Sequence, residues 1–572
     1  MFARSIVALA LAAAVPISAK GATTLDADDL LAGTRVVPVA ITLPTDDWDA
    51  LRRESRGPGG FFGGGQSKSF TWHQGRVTID GVTIVDAGVR KKGLFGSIDS
   101  VRPSMLVDFN RYVPQHPVDG LRRLTLNNNK QDTSCVSQCL AYALFRAAGV
   151  PAPRVGFAAV TVNDEFLGLY SNVEAVKKPF LRRSFGSSTG SLYEGTLADL
   201  VPSSLGKLEI ETHDDSRRQL ERLARLLEAE PPLDLRALET LVDLDAFLSS
   251  WAIESLIGLW DGYTANQNNY FVYFPSPGSP ARFIPWGADS AFPAASGGMP
   301  GFSRGPSPVI SAQSALANRL AFTPGVMSRY RARLEEILAT VWREEDLLAE
   351  IDRLETLLTP HLSSAQEGMP KSLETVRGFV RRRRDDIEKA LADWPPELPS
   401  DYRRPMVSTR IGSAHGSFST MQRSSADGDA PSGEASVAIT VRDEPFEFVP
   451  TGVSAYPFVM GGRAPSTQAL ADAPIAVTVS GTRGDGSALT LSFMLDRRLV
   501  RDSNTDLAAG GMLTEGPGFF GKGPMRIVSG TVALTARGAD PESPIAGSFQ
   551  FVIDENSGGF NNPSPKKKPP EN

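Results

Sequence analysis

The chain predicts an α+β fold followed by a small all-β unit, a sandwich or a barrel, and three observations carry that expectation. Between 245 and 260, Leu248, Trp251, Ala252, Ser255, Leu256 and Leu259 recur at helical spacing and form one buried stripe. Alternating β-type runs stand upstream of that helix and long amphipathic runs downstream, the pattern of helices packed on antiparallel strands. From 435 to 554 no helical period occurs, only short β-branched runs separated by turn residues such as Arg483-Gly484-Asp485-Gly486.

At 572 residues the chain exceeds one ordinary domain. Apolar content of 41% and charged content of 22% are those of a soluble globular protein. A net charge of −6 gives no reason to expect a nucleic-acid partner, because phosphate backbones attract strongly basic surfaces. The expected divisions are a signal peptide at 1–19, a main domain at 24–396, a linker at 397–435, a β-rich domain at 436–556 and a disordered tail at 557–572. The first of these rests on Arg4, a short alanine-rich apolar run from Ile6 to Val15, and the small residue Ala19. That run is too short to span a bilayer and no later run is apolar over 18 residues, so no transmembrane segment is expected. The product is then exported, to a periplasm or to the outside of the cell. Cys135 and Cys139 lie four apart, which in a helix brings their Cα atoms to about 6 Å. A bridge there or two small buried residues are equally open readings.

Taken in order, 36–43 reads as a strand and Asp46-Asp47-Trp48 opens a helix reaching Arg53. The glycine-rich stretch 57–65 lacks the Gly-Lys-Ser/Thr of a phosphate loop and reads as a surface insertion. Runs at 70–79, 82–92 and 104–109 form an antiparallel meander. Before the last of them, glycines beginning with Gly93 would let main-chain amides approach a phosphate, with Lys92 or Arg90 adding charge. A plain hairpin is the alternative. A strand at 124–126 leads to Asn127-Asn128-Asn129, and Asp132 or Ser134 is the expected N-cap of a helix running to Ala148. Asn163-Asp164 turns one strand into the next. Helices are expected at 217–230, 235–241, 315–338, 344–357 and 372–391, the last with Arg381 to Arg384 on a solvated face beside Asp385, Asp386 and Glu388.

The chemistry concentrates at 260–292. Asp261 ends the apolar helix, Asn266, Asn268 and Asn269 follow, and an aromatic strand at 270–274 and a second at 282–284 deliver Asp289 to a loop. Two acids and several amides at the ends of rigid elements suit one divalent cation with oxygen ligands, magnesium, manganese or calcium, and one phosphate. The alternative is that Asp261 caps a turn and the asparagines fill left-handed positions. Five scattered histidines, His73, His116, His213, His361 and His415, argue against zinc.

Trp260-Asp261-Gly262-Tyr263, Asn268-Asn269-Tyr270-Phe271-Val272-Tyr273 and Pro285-Trp286-Gly287-Ala288-Asp289-Ser290-Ala291-Phe292 resemble recurring segments of the CotH family, the spore-coat-protein-H-like atypical kinases. Ala87 to Gly93 and Arg102-Pro103-Ser104 resemble that family's N-terminal pattern, and the resemblance covers roughly residues 36 to 393. It implies an atypical protein-kinase-like fold that transfers the ATP γ-phosphate to Ser/Thr hydroxyls of a protein substrate with Mg2+ or Mn2+. In that frame Asp261 accepts or orients the hydroxyl and Asp289 holds the metal. One of Asn266, Asn268 or Asn269 completes the coordination: Asn266 has the kinase-loop spacing, and the resemblance favours the other two. Nucleotide contacts fall to Arg90, Lys92, Gly93 and Arg102, with Glu174 ordering a cation as ion pairs do in protein kinases. Leu106 stands where the family's strand often carries lysine, so the phosphate-gripping charge is expected from Arg102, Arg90 or Lys92. The stretch after Phe292 then suits substrate access. Two other functions stay open: a catalytically weak surface-binding protein on a kinase fold, and a metal-dependent phosphohydrolase. The β-rich domain is expected to bind an envelope component.

Overall fold

In a computed structural model the described residues are 25–54, 70–93, 99–212, 217–293, 308–425, 433–458, 473–502, 506–516, 522–557 and 564–570. The signal-peptide and glycine-insertion expectations, most of the loop after Gly93 and most of the stretch after Phe292 fall outside them.

The meander closes. Seven strands form a barrel in the order Val36–Thr42, His73–Ile79, Val82–Lys91, Met105–Asp108, Arg123–Asn127, Glu165–Val173 and Val155–Val162. Closure comes from a parallel pairing of the first and last, Val36 opposite Phe157 through Ile41 opposite Val162. Inward side chains such as Val39, Ile41, Val77, Val89, Val107, Leu126 and Val160 fill the interior, as side chains do in small barrels. Asn163 and Asp164 both take positive φ, 47° and 67°, the two-residue turn that suits a tight hairpin.

A second sheet of four antiparallel strands runs Glu209–Ile210, Ser191–Gly195, Tyr270–Phe274, Arg282–Pro285. The aromatic strand is central and all five of its residues are buried. Behind it lies the helix Leu244–Ile257, of which only Asp245 and Ala246 escape burial. It stops earlier than the apolar stripe suggests. Gly258 adopts φ 63° and caps the helix, which leaves Trp260 and Asp261 in a turn. The run at 315–338 is likewise two helices, Ala315–Ala321 and Val326–Thr340, with Gly325 at φ 78° between them. The arginines at 381–384 form a solvated face only in part: Arg381 is exposed, but Arg383 is not. Arg383 is buried and donates to the carbonyls of Ser255 and Leu256, capping the central helix with a cation. Arg384 binds Glu344 at 2.7 Å. Among the described residues no helix is long and apolar enough to cross a membrane.

Downstream, nine antiparallel strands form one sheet whose first and last regions meet through bridges between Gln422 and Ala455 and between Gly433 and Val453. Its apolar interior contains Phe418, Val453, Phe493, Leu513, Phe549 and Phe551. The stretch read as linker contains a fifteen-residue strand of this sheet, Val407–Met421. Its glycines are packing devices: a Cβ on Gly412 would lie 1.8 Å from the Thr440 carbonyl oxygen. The stretch read as disordered tail contains a strand too, Lys566–Lys567, paired with Leu398–Pro399. Cys135 precedes the helix Ser137–Ala147 and Cys139 lies in it; both are free thiols, and burial raises both.

Candidate active site

The loop carrying Asp261 is built from both sides. From the central helix, the buried Glu254 carboxylate accepts the main-chain N–H of Tyr263 at 3.3 Å and of Thr264 at 2.9 Å, and the Thr264 hydroxyl at 2.5 Å. It thereby caps the one-turn helix Tyr263–Asn266, whose own N-cap, Gly262, has no side chain. From the second sheet, the residues after Ser191–Gly195 hold the loop's far end: Leu197 N–H donates to Asn268 Oδ1 at 3.0 Å and Ala198 N–H to the Gln267 carbonyl at 2.9 Å. Tyr263, Tyr270 and Phe283 stack into one cluster, with centroids 4.4 Å apart for the first two and 5.1 Å for Tyr263 and Phe283.

All three asparagines turn their amide nitrogens on Asp261. Asn266 and Asn268 donate to Oδ1 at 2.5 and 3.0 Å, and Asn269 donates to Oδ2 at 2.9 Å and to the Asp261 carbonyl at 3.0 Å. Burial raises the Asp261 carboxyl, and the amide donors together with the Arg403 charge pull it back. The amide oxygens differ. That of Asn266 accepts from Arg403 and that of Asn268 from Leu197, whereas the Asn269 oxygen accepts no hydrogen bond among the described residues. Asn269 sits at φ 54° beside Gly287, at φ 51°; a Cβ on Gly287 would lie 2.6 Å from the Asn269 amide oxygen.

Gly287 starts the short turn Ala288–Ser290 that presents Asp289. Phe292 N–H donates to the Ile257 carbonyl at 2.8 Å, tying this turn to the end of the central helix. Burial pushes the Asp289 carboxyl up to about 7; the charges of Asp261 and Asp132 add to the rise and Lys92 opposes it. Lys92 reaches this acidic centre from the barrel, where its ammonium donates to Asn127 Oδ1, and Asn127 Nδ2 donates to Gln138 Oε1 at 3.1 Å.

A profile of the family described as CotH kinase protein matches residues 89–387. The chain belongs to the CotH kinase family. Within it, the Inner spore coat protein H-like protein of Bacillus subtilis (strain 168) is 33% identical over 105 residues, 17% of this chain and 34% of that relative, so the match spans about a third of the relative's length. The crystal structure of the Helicobacter pylori proinflammatory kinase CtkA aligns with 53% of this chain and 92% of its own at 10% identity and a TM-score of 0.22.

The CotH region takes in Lys92, Asp261, Asn269 and Asp289. The other residues expected at the nucleotide lie as follows. Arg102 is committed to main-chain carbonyls, donating to Leu167 at 2.7 Å and to Asn128 and Leu169 at 3.2 Å. Arg90 lies with its guanidinium 4.9 Å from the Trp72 ring centroid and opposite Leu106 in the strand register. Glu174 is buried between Arg154 and Arg183, at 3.0 and 2.7 Å. Gly93 takes φ 111°, a conformation natural to glycine.

Two residues here, Asn127 and Asp132, had a cleft-lining role only as the weaker expectation, and two more, Asp199 and Arg403, carry no sequence signal. Asn127 and Asp132 read as loop and cap; the N-cap is in fact Val136, while Asp132, further upstream, accepts the Ser137 N–H at 2.8 Å and its charge also reaches Asp289. Asp199, fully buried, accepts from Tyr263, Gln267 and the Ala315 N–H. Arg403 lies beyond the CotH match. No local pattern marks any of these, because each acts on a partner distant in sequence.

Proposed function

We propose that this CotH-family chain is an exported protein kinase that transfers the γ-phosphate of ATP to Ser/Thr hydroxyls of a protein substrate with Mg2+ or Mn2+. The observation that supports it most is the division of labour among the asparagines: their nitrogens hold the Asp261 carboxylate while one oxygen, that of Asn269, stays unengaged toward the segment bearing Asp289. An amide oxygen and a carboxylate make an all-oxygen donor set, which fits a hard divalent cation. Asp289 and Asn269 would hold it, and when bound it supplies positive charge against the phosphates.

The remaining work falls to side chains of this chain. Asp261 Oδ2 accepts one side-chain hydrogen bond where Oδ1 accepts two, which leaves it able to receive a substrate hydroxyl. As the hydroxyl oxygen bonds to the γ-phosphorus, the bond from phosphorus to the ADP oxygen breaks, ADP departs with that electron pair, and the hydroxyl proton passes to Asp261. Lys92, whose ammonium donates to Asn127 Oδ1, would meet phosphate oxygens. Leu106, 8% exposed and without charge, supports a second reading in which the same fold binds a surface component and turns over slowly. Export rests on the N-terminal run described from sequence.

The test incubates purified protein with γ-labelled ATP, Mg2+ or Mn2+, and casein or the protein itself as acceptor. Label transferred by wild type and lost in Asp261→Asn and Asp289→Asn supports the kinase. Failure of the folded wild type to bind nucleotide by calorimetry sinks it in favour of the binding protein, and release of free phosphate without labelled protein assigns a phosphohydrolase.

A further inference from the structure

The stretch 398–406 lies downstream of the CotH match, yet it returns to the catalytic loop. Leu398–Pro399 is held by the strand Lys566–Lys567, Ser400 N–H donates to the Pro565 carbonyl at 2.8 Å, and Asn318 Nδ2 donates to the Pro399 carbonyl at 2.8 Å. Lys568 pairs with Asp393 at 3.0 Å.

Held this way, Arg403 enters the loop from below. Its N–H donates to the Gln313 carbonyl at 2.8 Å and its own carbonyl accepts Gln267 Nε2 at 2.6 Å. Nε donates to Gln267 Oε1 at 3.1 Å, Nη1 to Asn266 Oδ1 at 2.9 Å and Nη2 to the Asn266 carbonyl at 2.5 Å. The guanidinium fork therefore grips one asparagine by side chain and main chain together, a geometry an ammonium cannot reproduce. The consequence is in the other half of that amide. With Oδ1 fixed on Arg403, Nδ2 must face Asp261 Oδ1, where it sits at 2.5 Å. Without the guanidinium, Asn266 Oδ1 loses its charged donor in a site where Asn266 is only 6% exposed. The amide can then rotate and set its oxygen against the carboxylate, so that two acceptors meet. The Arg403 charge also acts directly on Asp199 and Asp261.

We propose that Arg403 is a positioning residue of the phosphoryl-transfer site, fixing the Asn266 amide so that its nitrogen holds Asp261, and that this chain supplies it from outside the CotH region. The inference rests on the kinase reading above. Its test compares full-length wild type, Arg403→Lys, Arg403→Met and Arg404→Ala. Arg404 pairs with Asp401 and Tyr402 nearby and serves as the control. Expected are a kcat at least tenfold lower in Arg403→Met with KM for ATP and for acceptor within twofold of wild type, partial recovery in Arg403→Lys, and wild-type values in Arg404→Ala. A folded Arg403→Met enzyme with wild-type kcat overturns the proposal, as does a loss confined to KM. Hydrogen exchange of the amides at 262–269, read by mass spectrometry, is independent of turnover: faster exchange in Arg403→Met supports the positioning role and unchanged exchange overturns it. An inactive wild type whose exchange still responds to Arg403 would sink the kinase reading alone.

Discussion

Glu254 holds Thr264 twice, by main-chain N–H at 2.9 Å and by hydroxyl at 2.5 Å, so that one buried acid of the central helix sets the pitch of the loop carrying Asp261. Burial pushes its carboxyl up to about 7 from an ordinary 4.5, against the pull of those donors. The native protein therefore keeps a proton that the unfolded chain releases over this interval. The stabilisation is complete below pH 4.5 and is lost as pH rises through about 7. At about 1.4 kcal/mol per pKa unit the effect is roughly 3 kcal/mol. Urea unfolding at pH 5 and pH 8 should show wild type losing that much more stability than Glu254→Gln; equal slopes would contradict the assignment.

The asparagines should separate by experiment. Asn269→Ala is expected to weaken Mn2+ binding, followed by electron paramagnetic resonance, about 10- to 100-fold. Asn266→Ala, whose oxygen is already engaged by Arg403, should keep metal affinity within a few-fold while losing turnover. The opposite ranking would move the ligand to Asn266.

Gly287→Ala tests the same corner by sterics. An L-residue there must accept φ 51° and a Cβ 2.6 Å from Asn269. Backbone strain of this kind costs on the order of 1–3 kcal/mol. Thermal unfolding should register the loss, and Mn2+ affinity should fall with it because Asn269 has to move.

Lys92 and Arg102 are predicted to behave differently although both are cations of the barrel. Lys92→Met should weaken ATP binding about tenfold or more, the scale of a charged hydrogen bond lost, and Asn127→Leu should do so by less. Arg102→Lys should leave ATP affinity unchanged and lower stability, because its three acceptors are main-chain carbonyls. Calorimetric titration with ATP distinguishes the two; an affinity loss in Arg102→Lys would return that residue to the nucleotide site.

The legible parts of the site were those in which local chain chemistry and geometry coincide. Asp261, Asn268, Asn269 and Asp289 lie within one loop, strand, hairpin and turn, so their convergence follows from short connections. Arg403 is illegible because its partner comes from another element: it meets Asn266 across 137 positions. Composition misled where it was read without pairing. The Ser- and Gly-rich strand Val407–Met421 looks like linker because glycine is needed where neighbouring main chains crowd it, as at Gly416, where a Cβ would lie 2.0 Å from the Ser436 carbonyl oxygen. Leu106 brings no charge to its strand, and the register shows what faces it, Arg90.

The pairing of Leu398–Pro399 with Lys566–Lys567 also sets a clock. Ribosomes make the chain from residue 1 onward, so the barrel, the central helix and the loop of Asp261 all exist before the strand that braces the Arg403 stretch has been synthesised. A nascent or prematurely released chain would carry every acid and amide of the site without its brace. The brace of the Asp261 loop is therefore complete only after Lys567 has been made.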